Sequence, residues 1–436
     1  MKRIRRVLAV SAISMALVGI GAGPALAQPA AEPPVPTTTP PFTTPDTDDC
    51  PFVASPPPAI DLSEVPEPGS TVPQPLPIPA DAVGGERLAE CGAVVPNGAP
   101  PLPADISATG FVVADMDSGA VLAAKDPHGR YRPASTIKVL LALVALDELN
   151  LDTQITATAE DADAEGSAVG IGKNGVYSNL QLMQGLVMAS GNDAAHALST
   201  QLGGDAATVD KMNAKAAELG ALDTRTATPS GLDGPGMSTS AYDLALIFRA
   251  AMQKPTFAQL ISTETVQFPG YPKDPAIPED QDRPGFALSN DNQLLYNYEG
   301  SLGGKTGYTD DARQTFVAGA ERDGRRLVVT IMKGDVLPIR PWEQAARLLD
   351  YGFGLGPNDT VGDLVEPQTT SAVTSTRTSE ATPSLAQPPK TASGSSSRQS
   401  EMQAQGDTVV RIGVGVIGAI VVIGLLWGAR RLSRNR

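Results

Sequence analysis

The sequence predicts an α+β fold, in which an antiparallel sheet is flanked by helices and accompanied by a mostly helical subdomain. Strand-like segments lie at both ends of the central region, and alanine-rich segments with helical periodicity lie between them. Strands that are distant along the chain must therefore pair in one sheet, which favours a largely antiparallel arrangement over repeated βαβ units. The central region, residues 106–365, has the size of one large domain or of a domain with a subdomain.

The elements of this region can be taken in chain order. A hairpin comes first, "TGFVVADMDSGAVLAAKD", with Asp117-Ser118-Gly119 as the turn between two apolar strands. A helix follows in "PASTIKVLLALVALDELN", and residues 141–260 keep a helical pattern. Strands return with "GGKTGYT" and with a second hairpin that turns at Asp323-Gly324. A last helix is predicted at "PWEQAARLLDYGF".

The two ends of the chain have the character of targeting segments. Residues 1–27 have a basic start, an apolar core and small residues at Ala25 and Ala27, which predicts a cleaved signal peptide. An uncleaved amino-terminal anchor is the alternative.

Residues 408–429 predict a transmembrane helix. Its last 18 residues carry no charge and would span about 27 Å as a helix. The alternative, a buried core helix, is disfavoured because the polar segment before it offers nothing to pack against. The arginines of residues 430–436 then predict a cytoplasmic tail.

Two further segments do not have the pattern of a folded core. Residues 28–105 contain 21 of the 39 prolines, which predicts an extended segment that serves as a spacer or wraps around the domain. Residues 366–407 are rich in Ser, Thr and Pro, with too little apolar surface to offset the entropy of ordering, so a disordered linker is expected.

Composition excludes several classes of function. The net charge of −15, with many of the basic residues at the two ends, argues against a nucleic-acid partner. Cys50 and Cys91 are the only cysteines, and in an oxidising compartment they most simply form one disulfide; two free thiols are the alternative. With only two histidines, no metal site and no cofactor are predicted, and no local signature supports a Ser-His-Asp triad.

Three short motifs carry the chemistry. Ser135 and Lys138 lie one helical turn apart, so their side chains share one face and can touch as a nucleophile and its base. Ser190-Gly191-Asn192 lies on a turn that enters a helix, and Lys305-Thr306-Gly307 lies on a strand. The order S-x-x-K, S-x-N, K-T-G is that of penicillin-binding proteins and class A β-lactamases.

These motifs are joined by "SGNDAA", "PSGLDGPG", "STSAYDLALIFRA" and "KTGYTDDA". Over residues 107–355 the chain thereby resembles the D-alanyl-D-alanine carboxypeptidases, the low-molecular-mass penicillin-binding proteins. The resemblance implies a β-lactamase/transpeptidase-like fold. It also implies removal of the terminal D-alanine of peptidoglycan stem peptides through an acyl-enzyme that β-lactam antibiotics trap. Together with the two ends, it places the enzyme at the extracytoplasmic face of the membrane, anchored by its C-terminal helix.

The residues themselves set a requirement on the base. A lysine with an ordinary pKa of about 10.4 must lose its proton to act as a base at pH 7, at a cost of about 4.6 kcal/mol. The pKa of Lys138 must therefore be lowered, and a nearby Lys305 together with burial would lower it. A solvated helix lysine is the alternative interpretation of Lys138, but its apolar neighbours argue against this.

The resemblance assigns roles to further residues. Ser190 would relay the proton to the departing D-alanine, and Asn192 would bind the substrate backbone and Lys138. The backbone N–H groups of Ser135 and Tyr308 would form the oxyanion hole. A simple helix N-cap is the alternative for the Ser190-Gly191-Asn192 motif.

The substrate-binding residues follow in the same way. Lys305 and Thr306 would face the terminal carboxylate, and Gly307 would let the substrate lie close to the strand as an added β-partner. Arg340 would pair with the same carboxylate, unless it is an ordinary surface arginine.

Three rival functions remain at this stage. A β-lactamase shares the fold and the motifs, but no Glu-x-x-Leu-Asn stretch occurs between Asn192 and Lys305. A D,D-endopeptidase would use the same bond chemistry on crosslinks. A non-catalytic wall-binding scaffold would keep the fold without turnover, although the intact motifs disfavour it.

Overall fold

The computed structural model describes residues 44–367. The predicted signal peptide, the start of the Pro-rich segment, nearly all of the linker, the transmembrane helix and the cytoplasmic tail lie outside the described residues. Among residues 44–367, none of the helices has both the length and the apolar character needed to cross a membrane.

The strands of the described chain follow in order. They are β1 (Ala93–Val94), β2 (Gly110–Asp115), β3 (Ala120–Lys125), β4 (Gln154–Thr156), β5 (Val176–Ser178), β6 (Thr265–Phe268), β7 (Phe286–Ser289), β8 (Ser301–Thr309), β9 (Arg313–Arg322), β10 (Arg325–Gly334) and β11 (Gly362–Asp363).

The helices lie mostly between β3 and β8. They are α1 (Lys138–Glu148), α2 (Ala159–Ala162), α3 (Asn179–Met188), α4 (Asn192–Gln201), α5 (Asp205–Glu218), α6 (Ala241–Met252), α7 (Pro255–Ile261), α8 (Gln293–Asn297) and α9 (Pro341–Gly354). Short 3₁₀ turns occur at Glu86–Ala89 and Ala134–Ile137.

The central sheet is antiparallel and joins the two ends of the domain. Its strand order is β1-β3-β2-β10-β9-β8, and β11 pairs with β3. The pairing of β2 with β10 brings together residues more than 200 positions apart in the sequence, such as Val113 and Val329. The predicted α+β class and both predicted hairpins are confirmed. In this order β8 lies at an edge, so one side of it faces away from the sheet.

Helices cover both faces of the sheet, so its central strands are apolar on both sides. Val112 and Ala114 of β2 belong to the core shared with α1 and α6. Phe111 and Val113, which point to the opposite face, pack in a second core with α9. A strand buried on both faces shows a continuous apolar run, as "GFVVA" does.

The helical subdomain also contains small strands that the sequence does not predict. Strands β4 and β5 form one two-stranded sheet, and β6 and β7 form another. Each of these four strands has only three or four residues. Such short segments show too little alternation of apolar and polar residues to be recognised as strands from the sequence.

The described part of the Pro-rich segment wraps around the domain. Residues 44–92, called the strap below, are largely irregular, and a disulfide joins Cys50 to Cys91. Arg130 fastens the strap by donating hydrogen bonds to the carbonyl oxygens of Ala54, Leu76 and Pro77, at 2.9, 2.7 and 2.9 Å. Apart from the 3₁₀ turn at Glu86–Ala89, the strap contains no helix or strand. The sequence does not predict its end, however, where Leu88 is buried and β1 joins the sheet.

Candidate active site

The turn that carries Ser135 is fixed to the sheet behind it. The hydroxyls of Thr136 and Thr315 both donate to the carbonyl oxygen of Pro133, at 2.6 and 2.7 Å. Thr315 belongs to β9, so this bond ties the turn to the sheet. Ala134 has φ 48°, a conformation that residues with a side chain rarely adopt. The 3₁₀ turn then presents Ser135 before the buried helix α1 begins.

Lys138 is completely buried and has three close polar neighbours. Its Nζ lies 2.7 Å from Ser135 Oγ, 2.7 Å from Asn192 Oδ1 and 2.6 Å from the carbonyl oxygen of Ser230. A neutral amine has two N–H donors and one lone pair. The amide and carbonyl oxygens can accept only, whereas the serine hydroxyl can donate. The neighbours can therefore satisfy an ammonium that donates to all three oxygens, and they can equally satisfy a neutral amine whose lone pair accepts the proton of Ser135.

Asn192 is held in the orientation that this arrangement needs. It is the first residue of α4, and its Nδ2 donates to the carbonyl oxygen of Glu165 at 2.6 Å, which turns Oδ1 toward Lys138. The neighbouring Asp193 is buried and accepts hydrogen bonds from the N–H groups of residues 169–171 at 2.7–3.0 Å. The loop before α3 and the start of α4 are thus locked together.

Ser190 lies on the turn just before α4. It is 7% exposed and has φ 59°. In the described part of the chain its hydroxyl makes no hydrogen bond. The hydroxyl is therefore available to a substrate or to a water molecule.

The second lysine lies on β8 and is also fully buried. Lys305 Nζ donates to the carbonyl oxygen of Thr306 at 2.8 Å and lies 3.9 Å from Asp291 Oδ2. The hydroxyl of Thr306 donates to the same carboxylate at 3.0 Å. Asp291 therefore connects both residues of the motif to the segment before α8.

The electrostatics of the site favour a neutral Lys138. Burial lowers the pKa of Lys138 well below its usual value, and the positive charge of Lys305 lowers it further. The carboxylates of Asp291 and Asp193 act in the opposite direction. Burial also lowers the pKa of Lys305, which Asp291 opposes. The sequence predicts both causes, with the like charge first, whereas burial is the larger one in the structure.

Strand β8 approaches the nucleophile turn closely at Gly307. A Cβ at Gly307 would lie 3.0 Å from the backbone nitrogen of Ser135 and 2.3 Å from Thr315 Oγ1, so only glycine fits there without displacement. Tyr308 follows with its side chain 49% exposed and its hydroxyl donating to Asp310 at 2.7 Å. The backbone groups proposed as an oxyanion hole thus come from neighbouring segments.

The structure therefore brings most of the predicted site residues together, with one exception. Arg340 is exposed at the start of α9, where its backbone N–H donates to Glu343 at 2.9 Å. The contacts made within residues 44–367 do not connect it to the other predicted residues.

Three residues of the site are not predicted by the sequence. Ser230 lies in the quoted stretch "PSGLDGPG", but it acts through its backbone carbonyl, which no side-chain pattern reveals. Asp193 lies in "SGNDAA", but the sequence assigns it no role. Asp291 has no signal in the sequence, because only the fold brings it beside β8.

One cluster elsewhere has side chains of the kind that bind metals. The possible ligand atoms of His128, Asp223 and Asp243 all lie within 4.8 Å of one another. Protein groups already occupy them: His128 contacts Asp223 and the carbonyl oxygen of Val83, and Asp243 accepts from Thr224. The cluster is accordingly a hydrogen-bonded network that joins the strap to the domain.

The fold and the site together define a class of protein. An antiparallel sheet whose edge strand carries Lys305-Thr306-Gly307, beside a helix that begins with a paired serine and lysine, is the architecture of penicillin-binding D,D-peptidases.

Comparison with known proteins gives the family. The family model described as D-alanyl-D-alanine carboxypeptidase matches residues 97–336, so the chain belongs to this family and the strap precedes the match. D-alanyl-D-alanine carboxypeptidase DacB2 of Mycobacterium tuberculosis is 50% identical over 275 residues, which cover 62% of this chain and 90% of that protein. DacF of Bacillus subtilis is 31% identical over 249 residues, which cover 56% of this chain and 61% of that protein.

Solved structures agree with this assignment. The crystal structure of a D-alanyl-D-alanine carboxypeptidase from M. tuberculosis H37Rv superposes with a TM-score of 0.58 at 49% identity, covering 62% of this chain and all of that one. The Streptomyces K15 DD-transpeptidase superposes with a TM-score of 0.53 at 27% identity, covering 59% of this chain and all of that one. The predicted fold class is confirmed.

Proposed function

We propose that this chain removes the terminal D-alanine from peptidoglycan stem peptides as a serine-type carboxypeptidase, and that β-lactam antibiotics trap its acyl-enzyme. The observation that carries the proposal is the 2.7 Å separation between Ser135 Oγ and the amine of Lys138, which is fully buried. A hydroxyl beside a neutral amine is an activated nucleophile.

The first chemical step forms the acyl-enzyme. Ser135 Oγ attacks the carbonyl carbon of the penultimate D-alanine while its proton passes to Lys138 Nζ. The N–H groups of Ser135 and Tyr308 stabilise the oxyanion. The C–N bond then breaks, and the leaving amine of the terminal D-alanine receives the proton through Ser190. Because Ser190 has no hydrogen bond of its own in the described chain, its hydroxyl is free to serve as this relay.

The second step releases the shortened peptide. A water molecule attacks the ester carbonyl carbon, its proton passes to Lys138, and the bond between that carbon and Ser135 Oγ breaks. The hydroxyl of Ser135 regains a proton, so Ser135 and Lys138 return to their starting states. The same two residues thus serve acylation and deacylation.

The edge of β8 positions the substrate. The terminal carboxylate lies at Lys305 and Thr306, whose side chains are held by Asp291. The peptide adds to β8 as a further strand. Gly307 allows this approach because it has no side chain between the strand and the nucleophile turn. Arg340 is proposed to pair with the same carboxylate.

Labelling and product analysis test the proposal together. Labelled penicillin should attach to the wild type and not to Ser135→Ala, because acylation needs the serine oxygen. Ser262→Ala, which removes an exposed hydroxyl that donates only to carbonyl oxygens of α7, is the matched control and should label fully. Mass spectrometry of pentapeptide muropeptides should show the loss of one alanine with the wild type and with the control.

Other results would point to the rival functions. Rapid hydrolysis of a chromogenic cephalosporin would indicate a β-lactamase. Cleavage of crosslinked dimers without trimming of monomers would indicate an endopeptidase. No labelling of the wild type and no product would indicate a scaffold.

We also propose that residues 1–27 export the chain and that residues 408–429 anchor it outside the cytoplasm, before a cytoplasmic tail. The disulfide between Cys50 and Cys91 supports an oxidising compartment, since such bonds are rare in the cytosol. A chain ending at residue 407 should move from the membrane fraction to the soluble exported fraction. Retention of this truncated chain in the membrane would contradict the anchor.

A further inference from the structure

The side chain of Arg225 carries a charge that the described chain does not neutralise. Its guanidinium is half-buried, and within the described chain it forms neither an ion pair nor a hydrogen bond. Arg130 and Arg132 differ in this respect, because they pair with Asp223 and Glu64. Burial and the positive charge of Arg130 both lower the pKa of Arg225. Since charges taken out of water are normally paired, this guanidinium is complementary to an anion.

The surroundings of Arg225 hold it in a fixed position. Its backbone N–H and C=O groups both pair with Ser238, at 2.9 Å each. A Cβ at Gly236 would lie 2.9 Å from Arg225 Nη1 and 3.0 Å from Pro73 Cβ, so the guanidinium and the strap meet at this glycine. Gly236 has φ 78°, a conformation that favours glycine. An anion that binds here therefore meets a donor that is already in place.

An apolar groove between the strap and the domain lies beside this guanidinium. It has a volume of about 670 Å³ and is called the strap groove below. Its apolar walls include Leu76, Pro77 and Pro79 from the strap and Ala217, Leu222 and Pro235 from the domain. Sites for small molecules have this size and are mostly apolar, with a few polar groups that orient the ligand.

Apart from Arg225, the polar side chains that line the strap groove are already hydrogen-bonded. Asn213 Oδ1 accepts from the N–H and the hydroxyl of Thr226, at 2.7 and 3.1 Å. The hydroxyl of Thr224 donates to Asp243 at 2.7 Å. A bound peptide brings N–H and C=O groups that need partners, and the groove offers them few side-chain partners. An acyl chain has no such groups, so the groove favours an acyl chain over a peptide.

We propose that the strap groove binds a long-chain monocarboxylate, which is the chemistry of a free fatty acid. The acyl chain packs against the prolines and the aliphatic side chains, and the carboxylate accepts two hydrogen bonds from the planar guanidinium of Arg225. No other charged residue of the described chain lines the groove, which matches one negative charge better than the two of a phosphate monoester. This inference goes beyond the proposed carboxypeptidase function and does not depend on it.

Photolabelling of the full chain in the isolated cell envelope tests the site. The probe is a ten-carbon carboxylate with a diazirine near the end of its chain, and the matched probe is its methyl ester. Mass spectrometry of the digested protein should locate the carboxylate probe on residues 72–79 and on α5. The ester should label these peptides about tenfold less, because it lacks the charge that pairs with Arg225.

Variants separate the charge from the apolar walls. Arg225→Gln should lower labelling by the carboxylate about tenfold and leave labelling by the ester unchanged. Lys211→Gln, which removes a cation of α5 that already pairs with Glu148, is the matched control and should label as the wild type does. Ala217→Trp should fill the groove and abolish labelling by both probes, whereas Ala214→Trp, at another exposed position of α5, should not. All four variants should resist trypsin as the wild type does, which reports that they are folded.

Several results would overturn the inference. Equal labelling of the groove by acid and ester would exclude a role for the charge, and labelling by the acid that survives in Arg225→Gln would exclude that arginine. Absence of label from residues 72–79 and from α5 would exclude the site. Displacement of the probe by an acidic, proline-rich peptide but not by excess dodecanoate would indicate a peptide partner instead. Each of these outcomes leaves the release of D-alanine, which is measured separately, unaffected.

Discussion

Lys138 is influenced by charged residues that act in opposite directions. Lys305 lowers its pKa, and Asp291 and Asp193 raise it, in addition to the larger effect of burial. The acylation rate should rise with pH as Lys138 loses its proton, and the position of this rise reports the pKa. Replacing Lys305 and replacing Asp291 should therefore shift the pKa of Lys138 in opposite directions.

Replacement of each neighbour should move this pH profile in a different direction. Lys305→Gln removes a positive charge, so the pKa of Lys138 rises and the profile moves to higher pH. Asp291→Asn removes a negative charge, so the profile moves to lower pH. The measurement is the second-order rate of penicillin acylation from pH 5 to pH 10. Shifts in the same direction for both variants would contradict the assignment of Lys138 as the base.

At the scale of residues, the sequence identifies side chains better than it identifies backbone groups. Ser135, Lys138 and Asn192 were predicted from motif spacing, and the structure places them in contact. The carbonyl oxygen of Ser230 could not be predicted, because every residue has one and only the fold selects it. Asp291 was missed for a similar reason, since its contact with Thr306 depends on the tertiary structure.

At the scale of elements, the strap depends on its disulfide. Cys50 and Cys91 are separated by 41 positions, and a bond that closes such a loop contributes up to about 4 kcal/mol in the chain-entropy model. Arg130 holds the same segment through three further hydrogen bonds. Loss of the disulfide should therefore loosen the strap before it unfolds the domain.

The double substitution Cys50→Ser with Cys91→Ser tests whether the strap loosens before the domain unfolds. Limited proteolysis should cut the variant first between residues 51 and 90, while the sheet and the penicillin reaction persist. We expect the variant to be less stable by about 2–4 kcal/mol in chemical denaturation. Equal resistance of the strap in variant and wild type would show that the hydrogen bonds of Arg130 suffice.

The elements that could be predicted were the long and strongly patterned ones. The turns at Asp117-Ser118-Gly119 and Asp323-Gly324 have residues that favour tight hairpins, so both hairpins were predicted. Strand β1 has only two residues and pairs with β3 through its backbone. The position of β1 depends on the path of the strap and on the disulfide at Cys91. The local sequence does not encode this tertiary arrangement.

At the scale of the whole molecule, a buried carboxyl group links stability to pH. Burial raises the pKa of Asp126 from 3.8 to about 6, although a hydrogen bond from Tyr131 and the charge of Lys125 oppose this. The folded state therefore keeps a proton that the unfolded state releases. Stability from this group is complete below about pH 4 and is lost as pH rises to about 6, by about 3 kcal/mol.

Asp126→Asn should remove this loss of folding stability with rising pH. The free energy of unfolding of the variant minus that of the wild type should increase by about 2–3 kcal/mol between pH 4 and pH 7. Urea denaturation at several pH values measures it. A difference that falls with rising pH would contradict the sign of the shift.

The overall architecture was predictable because its signals are redundant. Hairpins at both ends of the domain and helices between them lead to one antiparallel sheet, and the motif order agrees with that fold. The docking of the strap was not predictable. Proline lacks the N–H group that would join it to a sheet, and the arginine that binds the strap, Arg130, has no distinguishing pattern around it.

Arg130 grips the strap only through the oxygens of its main chain, at Ala54, Leu76 and Pro77. These hydrogen bonds do not depend on the side chains of the three strap residues, because only main-chain oxygens accept them. The side chains at these three positions can therefore change without loss of the hydrogen bonds from Arg130, while the disulfide and the ion pair between Glu64 and Arg132 hold the strap elsewhere. In related chains whose strap sequences have diverged, the arginine that corresponds to Arg130 should therefore be easier to recognise than the strap itself.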